Sequence, residues 1–355
     1  MPWPERAGAR GPCRRGPRAA KLRRVRLLLI HTGGTLMMVG GDGSVPLVPD
    51  AYTRDLLAEL PVLRKMAEIE TRILFNLDSS DLQPRHWVEI GAVVHEALPR
   101  YDGFVIVYGT DTMAYTASAL AFLLPGLDRP VVLTGAQRPL SEVRTDARAN
   151  LVDACLLATS RIPEVGVVFG SKLLRGCRAT KLDAWGMSAF GSPSCPPLAE
   201  LGLGVHVAAH ILAPRPAAPF DGRLETRVLA VRTFRGLDPR LLLGALDGGV
   251  RGLLVEAFGL GNVPCVENSL VPVLEAARAR DVPVVIVSQS ARGAVDLTRY
   301  AGGVAAAKAG AVGAGDMTAE AALAKLMVTL GRAGGRDAAG AVRDAFAAAQ
   351  VGKMG

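Results

Sequence analysis

The chain has 355 residues, half of them hydrophobic, and a formal charge of +8. The charge is concentrated: residues 1–26 hold nine basic side chains against Glu5, and the remainder holds thirty-two of each sign. A neutral body gives no phosphate-tracking surface, so no nucleic-acid partner is expected. No stretch approaches the roughly 20 apolar residues that span a bilayer, so no membrane partner is expected either.

In chain order, residues 1–24 are rich in Pro, Gly and Arg without an apolar period. They predict a disordered basic tail. The run Val25–Ile30 is broken by Arg26 and lacks a small-residue cleavage site, so it reads as a strand and not as a signal peptide. Strand patterns follow at 25–31, 71–77, 104–109, 130–135 and 165–171, with helical patterns at 51–65, 84–98, 112–124 and 146–159. Short β-branched runs alternating with helices predict a parallel sheet covered on both faces. Low aromatic content and abundant Gly, Ala and Val fit that class. The proline-rich stretch 212–224 reads as a linker between an N-terminal α/β domain (25–211) and a smaller C-terminal α/β domain (225–355). The second domain shows strands at 226–234, 252–258 and 282–288, and helices at 238–246, 266–279, 318–331 and 337–350. Residues 301–315 are almost all Ala and Gly, too interrupted for a helix and suited to close packing.

The five cysteines, Cys13, Cys155, Cys177, Cys195 and Cys265, are scattered and show no C-x-x-C pair. They read as reduced thiols of a cytoplasmic chain. The five histidines have no metal-ligand spacing, so no metal site is expected.

Polar chemistry gathers at strand ends. Thr32-Gly33-Gly34-Thr35 follows the first strand; the glycines permit a sharp turn and close backbone approach. Asp78-Ser79-Ser80-Asp81 follows the second, where an ordinary turn would explain the residues equally well. Gly109-Thr110-Asp111-Thr112-Met113 follows the third. One polar residue there would cap the next helix, but a Thr-Asp-Thr cluster exceeds that need. Thr134-Gly-Ala136-Gln137-Arg138-Pro139 follows the fourth. Ligands of open α/β sheets bind at such carboxyl ends. Lys181, in Arg178-Ala-Thr-Lys181, would pass alone as a surface lysine.

These segments, with Ser192–Leu198, Phe258-Gly-Leu-Gly-Asn262 and Gly315-Asp-Met-Thr-Ala-Glu320, resemble the L-asparaginase family, most closely its type I, cytoplasmic branch, in family order over roughly residues 25–333. The resemblance implies hydrolysis of the L-asparagine side-chain amide to L-aspartate and ammonia, with no cofactor. It implies Thr32 as nucleophile and Thr110, Asp111 and Lys181 as the second catalytic cluster. Gly33, Ser79, Ser80, Thr110, Asp111 and Ala136 would bind substrate, with Ser79, Ser80 and Asp111 on the α-carboxylate and α-amino groups. Asn262 would reach the site of a neighbouring subunit in a homodimer or homotetramer. The residue chemistry agrees: a threonine hydroxyl needs a proton acceptor, a desolvated lysine can lose its proton, and Asp111 suits a substrate ammonium.

One departure concerns the loop 37–50, which is glycine-rich and lid-like but lacks the tyrosine usual in the family; the nearest, Tyr52, begins the following helix. Two other readings stand beside the hydrolase. One is the ammonia-releasing subunit of a tRNA-dependent amidotransferase, which the neutral body disfavours. The other is an asparagine-binding protein weakened in catalysis, which would not need both threonine clusters.

Overall fold

A computed structural model describes residues 24–34, 36 and 49–348. The expected basic tail and lid-like loop lie outside these residues, apart from Arg24 and the loop's last two positions.

The first domain begins with β1 (Arg26–Gly33), α1 (Pro49–Glu59), α2 (Leu63–Met66) and β2 (Glu68–Leu77). The single helix expected over 51–65 is divided in two. Pro61 sits in the intervening turn, where its missing N–H breaks the helical ladder. There follow α3 (Pro84–Ala97), β3 (Gly103–Val107), α4 (Met113–Leu123), β4 (Val131–Thr134), α5 (Ala147–Ala158) and β5 (Val165–Phe169). The five strands β1 to β5 form the expected parallel sheet. The sheet then continues antiparallel through β6 (Lys172–Arg175), β9 (Ala199–Leu201) and β10 (Val205–Val207), giving the order β10-β9-β6-β5-β4-β3-β1-β2. Between them, β7 (Thr180–Lys181) and β8 (Phe190–Gly191) pair as a separate two-stranded ribbon. The three added strands have only three or four residues each, too short for a sequence period.

The second domain has a four-stranded parallel sheet, β11 (Val228–Arg232), β12 (Gly252–Ala257), β13 (Val284–Ser288) and β14 (Val312–Gly313), in sequential order. Its helices are α6 (Pro239–Asp247), α7 (Val271–Ala279), α8 (Ala301–Lys308), α9 (Ala319–Ala333) and α10 (Ala338–Ala347). The Ala/Gly segment does form a helix, α8, and its glycines explain the close packing: a Cβ on Gly302 would collide with the Val263 carbonyl.

Helix α4 joins the two halves. Every residue of α4 except Tyr115 is buried, because the first sheet covers one side and α9 another. One hydrophobic core therefore runs from Ile30 and Ile106 in the first sheet through Leu120 of α4 and Leu326 of α9 to Leu254 and Val285 in the second. A second core under the opposite face of the large sheet uses α1, α2 and α5. This layering fixes both ends of α4, the end near Asp111 included. Among the described residues, no helix is long and apolar enough to cross a membrane.

A buried ion pair ties the adjacent strands β5 and β6 to the chain that leaves the sheet. Arg175 donates to Glu164 at 2.6 and 3.1 Å, with side chains 3% and 1% exposed. Glu164 also accepts from the Leu212 N–H, and Arg175 donates to the His210 carbonyl. Removing one partner strands the other charge in the interior. Arg175→Met should therefore lower unfolding free energy by about 3–5 kcal/mol, measured by denaturant titration; a loss below about 1 kcal/mol would contradict this account.

Candidate active site

Four strand ends meet at the carboxyl edge of the large sheet, and glycines let them touch. A Cβ on Gly34, which has φ +86°, would lie 2.6 Å from the Gly109 backbone. A Cβ on Gly33 would strike the Leu77 backbone, and one on Gly135 the Tyr108 carbonyl. A Cβ on Gly109 would lie 2.7 Å from the Ser79 side chain. The turns following β1, β2, β3 and β4 are thus stacked backbone to backbone, and the hydroxyls they carry share one small region.

Thr32 is fully buried, and its Oγ1 donates to the Val107 carbonyl at 2.8 Å. The hydroxyl is held by main chain in this arrangement, and among the described residues no hydrogen bond joins it to a basic side chain. The preceding His31 is 1% exposed; burial pulls its pKa from 6.5 to about 4, partly offset by a hydrogen bond with Asn76. His31 is consequently neutral through the physiological range.

Thr110, Asp111 and Lys181 come into direct contact although Lys181 lies seventy residues on. Lys181 Nζ donates to Thr110 Oγ1 at 2.9 Å and to Asp111 Oδ1 at 2.6 Å. The Lys181 side chain is 19% exposed and that of Asp111 66% exposed. The lysine is therefore held between a hydroxyl and a carboxylate and is only partly desolvated. Thr110 Oγ1 in turn donates to Gln137 Oε1 at 3.1 Å. The Gln137 amide donates to the Ala184 and Gly186 carbonyls, both at 3.3 Å.

The helix-cap alternative for the Thr-Asp-Thr cluster fails. Thr112 occupies the N-cap of α4 without making a side-chain cap bond, and its hydroxyl donates instead to the Ser79 carbonyl at 2.8 Å. Asp111 is engaged by Lys181. The turn reading of Asp78–Asp81 does hold locally: Asp78 Oδ1 accepts from the Ser80 N–H at 2.8 Å and the Ser80 hydroxyl at 2.6 Å. Those two bonds pull the Asp78 carboxyl below its usual range. Ser79 is buried against Gly109 and Ser80 is exposed. Ala136 is 2% exposed beside this group.

Sequence reasoning missed the residues that hold the fourth turn. Asp146 accepts from the Gln137 N–H at 3.0 and 3.1 Å and from the Arg138 N–H at 3.1 Å. Asn150 donates to the Gly135 carbonyl at 3.0 Å and to Asp146 at 3.1 Å. The available signal was an Asp at the start of α5, four residues before a buried Asn on the same face.

Asn262 lies elsewhere, in the turn after β12, bonded through its backbone to Phe258. Among the described residues, no hydrogen bond or ion pair joins it to Thr32, Thr110, Asp111 or Lys181. Its side-chain oxygen is buried with no hydrogen-bond partner among those residues. A cavity of about 560 Å³ opens beside Gln137, Arg138 and Trp185, next to the Thr110 side of the cluster. The larger cavity of about 600 Å³ lies at the other end of α4, near Phe122, Lys325 and Arg332, and shares no residue with the cluster.

The arrangement offers a buried hydroxyl on a glycine turn, a second hydroxyl bonded to an ammonium, and an exposed carboxylate. Backbone N–H groups of such turns are suited to receive a developing oxyanion. That is equipment for acyl transfer from a small polar substrate.

Comparison with known proteins gives the same direction. The N-terminal asparaginase family model matches residues 26–212, and the glutaminase/asparaginase C-terminal domain model matches residues 227–346. An L-asparaginase from Thermococcus kodakarensis is 39% identical over 310 residues, covering 86% of this chain and 93% of the relative. The crystal structure of L-asparaginase I from Vibrio cholerae superposes with a TM-score of 0.82 at 33% identity, covering 94% of this chain and 99% of that one. A glutamyl-tRNA(Gln) amidotransferase subunit from Pyrococcus abyssi is 34% identical over 316 residues, covering 85% of this chain and 71% of the relative.

Two outcomes follow from the geometry. Gly34→Ala forces a left-handed φ on alanine and a methyl into Gly109, so it should destabilise by at least about 1–3 kcal/mol in thermal denaturation; an unchanged Tm would refute the stacked-turn description. His31 binds a proton more readily unfolded than folded, so stability should be retained above pH 6.5 and decline as pH falls towards 4, by roughly 2–3 kcal/mol at pH 4.5. His31→Gln should flatten that decline, and identical pH profiles for the two proteins would contradict it.

Proposed function

The chain belongs to the asparaginase family, and we infer that it is an L-asparaginase, an amidohydrolase releasing ammonia from the side chain of L-asparagine. One observation carries the assignment of roles: Lys181 spans Thr110 and Asp111, and Gly109, the residue before them, packs on the turn that bears Thr32.

In the proposed reaction Thr32 Oγ attacks the amide carbon. The hydroxyl proton leaves through the polar cluster, and the C–N bond breaks with a proton delivered to the departing ammonia. Water then cleaves the acyl-threonine ester, releasing L-aspartate and restoring the hydroxyl. Gly33 and its neighbours would offer N–H groups to the oxyanion. A single donor of this kind is worth about 3–4 kcal/mol of barrier. Lys181 and Thr110 would form a proton-transfer pair: the ammonium holds the Thr110 hydroxyl, gives a proton to the departing ammonia and is restored by the Thr32 hydroxyl proton passed through Thr110. Asp111, exposed towards the open side, would accept the substrate ammonium. Ser79 and Ser80 would bind the α-carboxylate, and the Ala136 carbonyl would accept from the amide nitrogen. The reaction needs no metal or organic cofactor.

The open side of the site supports a homodimer. Asp111 is mostly exposed, and Leu182 and Trp185, 59% and 95% exposed, follow Lys181 in the chain. Exposed apolar side chains beside a polar cleft suit a protein interface. A second copy would bring its Asn262 turn, with the unbonded side-chain oxygen, over this face. A homotetramer would pair two such dimers. The chain is read as cytoplasmic because its described cysteines are free thiols, and burial pushes Cys155 up to about 12 and Cys177 up to about 11. With the chain divided at 25–211, 212–224 and 225–355, the chemistry belongs to the first part and the covering turn to the last.

Ammonia release from L-asparagine tests the assignment. Thr32→Ala should abolish turnover while leaving the fold intact, and wild-type-like release would refute the nucleophile. Lys181→Met should lower kcat by about 10²–10⁴, and an unchanged kcat would exclude the proton-transfer role. Turnover dependent on tRNA and a partner subunit would favour the amidotransferase reading instead.

A further inference from the structure

The segment Gly315-Asp-Met-Thr-Ala-Glu320 has no part in the reaction as described, yet it grips the catalytic lysine's strand from the other domain. Thr180 Oγ1 donates to Glu320 Oε1 at 2.6 Å, across 140 residues. Arg178, 3% exposed, donates to the Asp316 carbonyl at 2.9 Å and pairs with its carboxylate at 2.7 Å. Thr318, between them, caps α9 by accepting from the Ala321 N–H. Both polar residues that precede Lys181 are thus fastened to one turn of the second domain.

The local geometry turns that grip into a constraint on the lysine. Thr180 and Lys181 form a two-residue strand paired, among the described residues, only with Phe190–Gly191. Such a ribbon has little stability of its own. Successive side chains of a strand point to opposite sides. Thr180 is held by α9 on one side, and Lys181 meets Thr110 and Asp111 on the other. A hydroxyl-to-carboxylate bond is short and strong, and Glu320 sits in the first turn of α9, where the helix dipole favours an anion. Tyr115, the one incompletely buried residue of α4 and four positions past Asp111, has its hydroxyl pushed up by burial and then by Glu320 and Glu256.

We propose that Glu320 is a positioning residue for catalysis: through Thr180 it sets the direction of Lys181 towards Thr110, making the C-terminal domain of the same chain part of the active-site framework. This rests on the asparaginase reading above.

The test compares Glu320→Ala, Glu320→Gln, Thr180→Val and the double variant Glu320→Ala/Thr180→Val. Glutamine can still accept from Thr180, so Glu320→Gln should keep kcat within about twofold. Glu320→Ala and Thr180→Val should each lower kcat about tenfold, with KM changed less than threefold, and the double variant should be no worse than either single one. A merely structural role would give equal loss with glutamine and alanine, or effects that multiply in the double variant; either result overturns the proposal, as does wild-type kcat in Glu320→Ala. Should Glu320→Ala not fold, Thr180→Val carries the same comparison because it keeps volume. Reductive methylation of Lys181, followed by peptide mass spectrometry, gives a readout independent of turnover. Labelling should be severalfold faster in Glu320→Ala and Thr180→Val than in wild type and Glu320→Gln. Equal rates in all four contradict the proposal even if wild type released no ammonia, a result that by itself would overturn only the asparaginase reading.

Discussion

Gly34 and Gly109 lie so close that one methyl group on either would collide with the neighbouring turn. The rest of the site depends on that approach. Thr32 ends the first strand and Thr110 follows the third, and strands in a sheet stand about 4.7–4.9 Å apart. Side chains of ordinary size at these turns would hold them apart. The same device recurs at Gly33 against Leu77 and at Gly135 against Tyr108. Glycine costs backbone entropy in such places, and the extensive core under the turns offsets it. Every backbone hydrogen bond of α4 and the large sheet works to keep these ends in register.

The cluster also solves a charge problem. An ammonium and a carboxylate beside a half-buried hydroxyl would each be costly alone. Paired at 2.6 Å, with Asp111 turned outwards, they are compatible with a site that must admit a zwitterionic substrate. Lys181 then needs a direction more than it needs burial, and its strand is too short to supply one. The clamp by Asp316 and Glu320 meets that need from a helix packed along α4. Under the proposed roles, support for the chemistry comes from both domains, although the reacting groups sit in the first.

Much of this was legible in the residues. Apolar runs followed by Gly-Thr or Thr-Gly marked the strand ends, because few other patterns combine a buried strand with a tight turn. The α/β layering and the parallel strands follow from the same alternation. Other features were not legible, for identifiable reasons. Strands β6, β9 and β10 are too brief to carry a period. Thr112 sits at the N-cap of α4 but makes no side-chain cap bond, since the Ser79 carbonyl competes successfully for its hydroxyl. Lys181 is unremarkable in isolation because its partners arrive from another strand, and only family resemblance singles it out. Gln137 and Glu320 give no local signal, for their bonds are tertiary, and Asp146 gives only its four-residue spacing from Asn150. The Ala/Gly segment that forms α8 does not read as a helix because its glycines, costly to one, are needed for contact with Val263.

The most direct test of the account is a crystal structure with L-aspartate bound. The central claim is that two hydroxyl-bearing turns and one lysine surround a single small substrate. The account predicts the ligand's side-chain carboxyl between Thr32 Oγ and Thr110 Oγ, within about 3 Å of each, and its ammonium on Asp111. Aspartate bound in the cavity near Phe122 and Lys325, or touching only one of the two threonines in every copy, would contradict it.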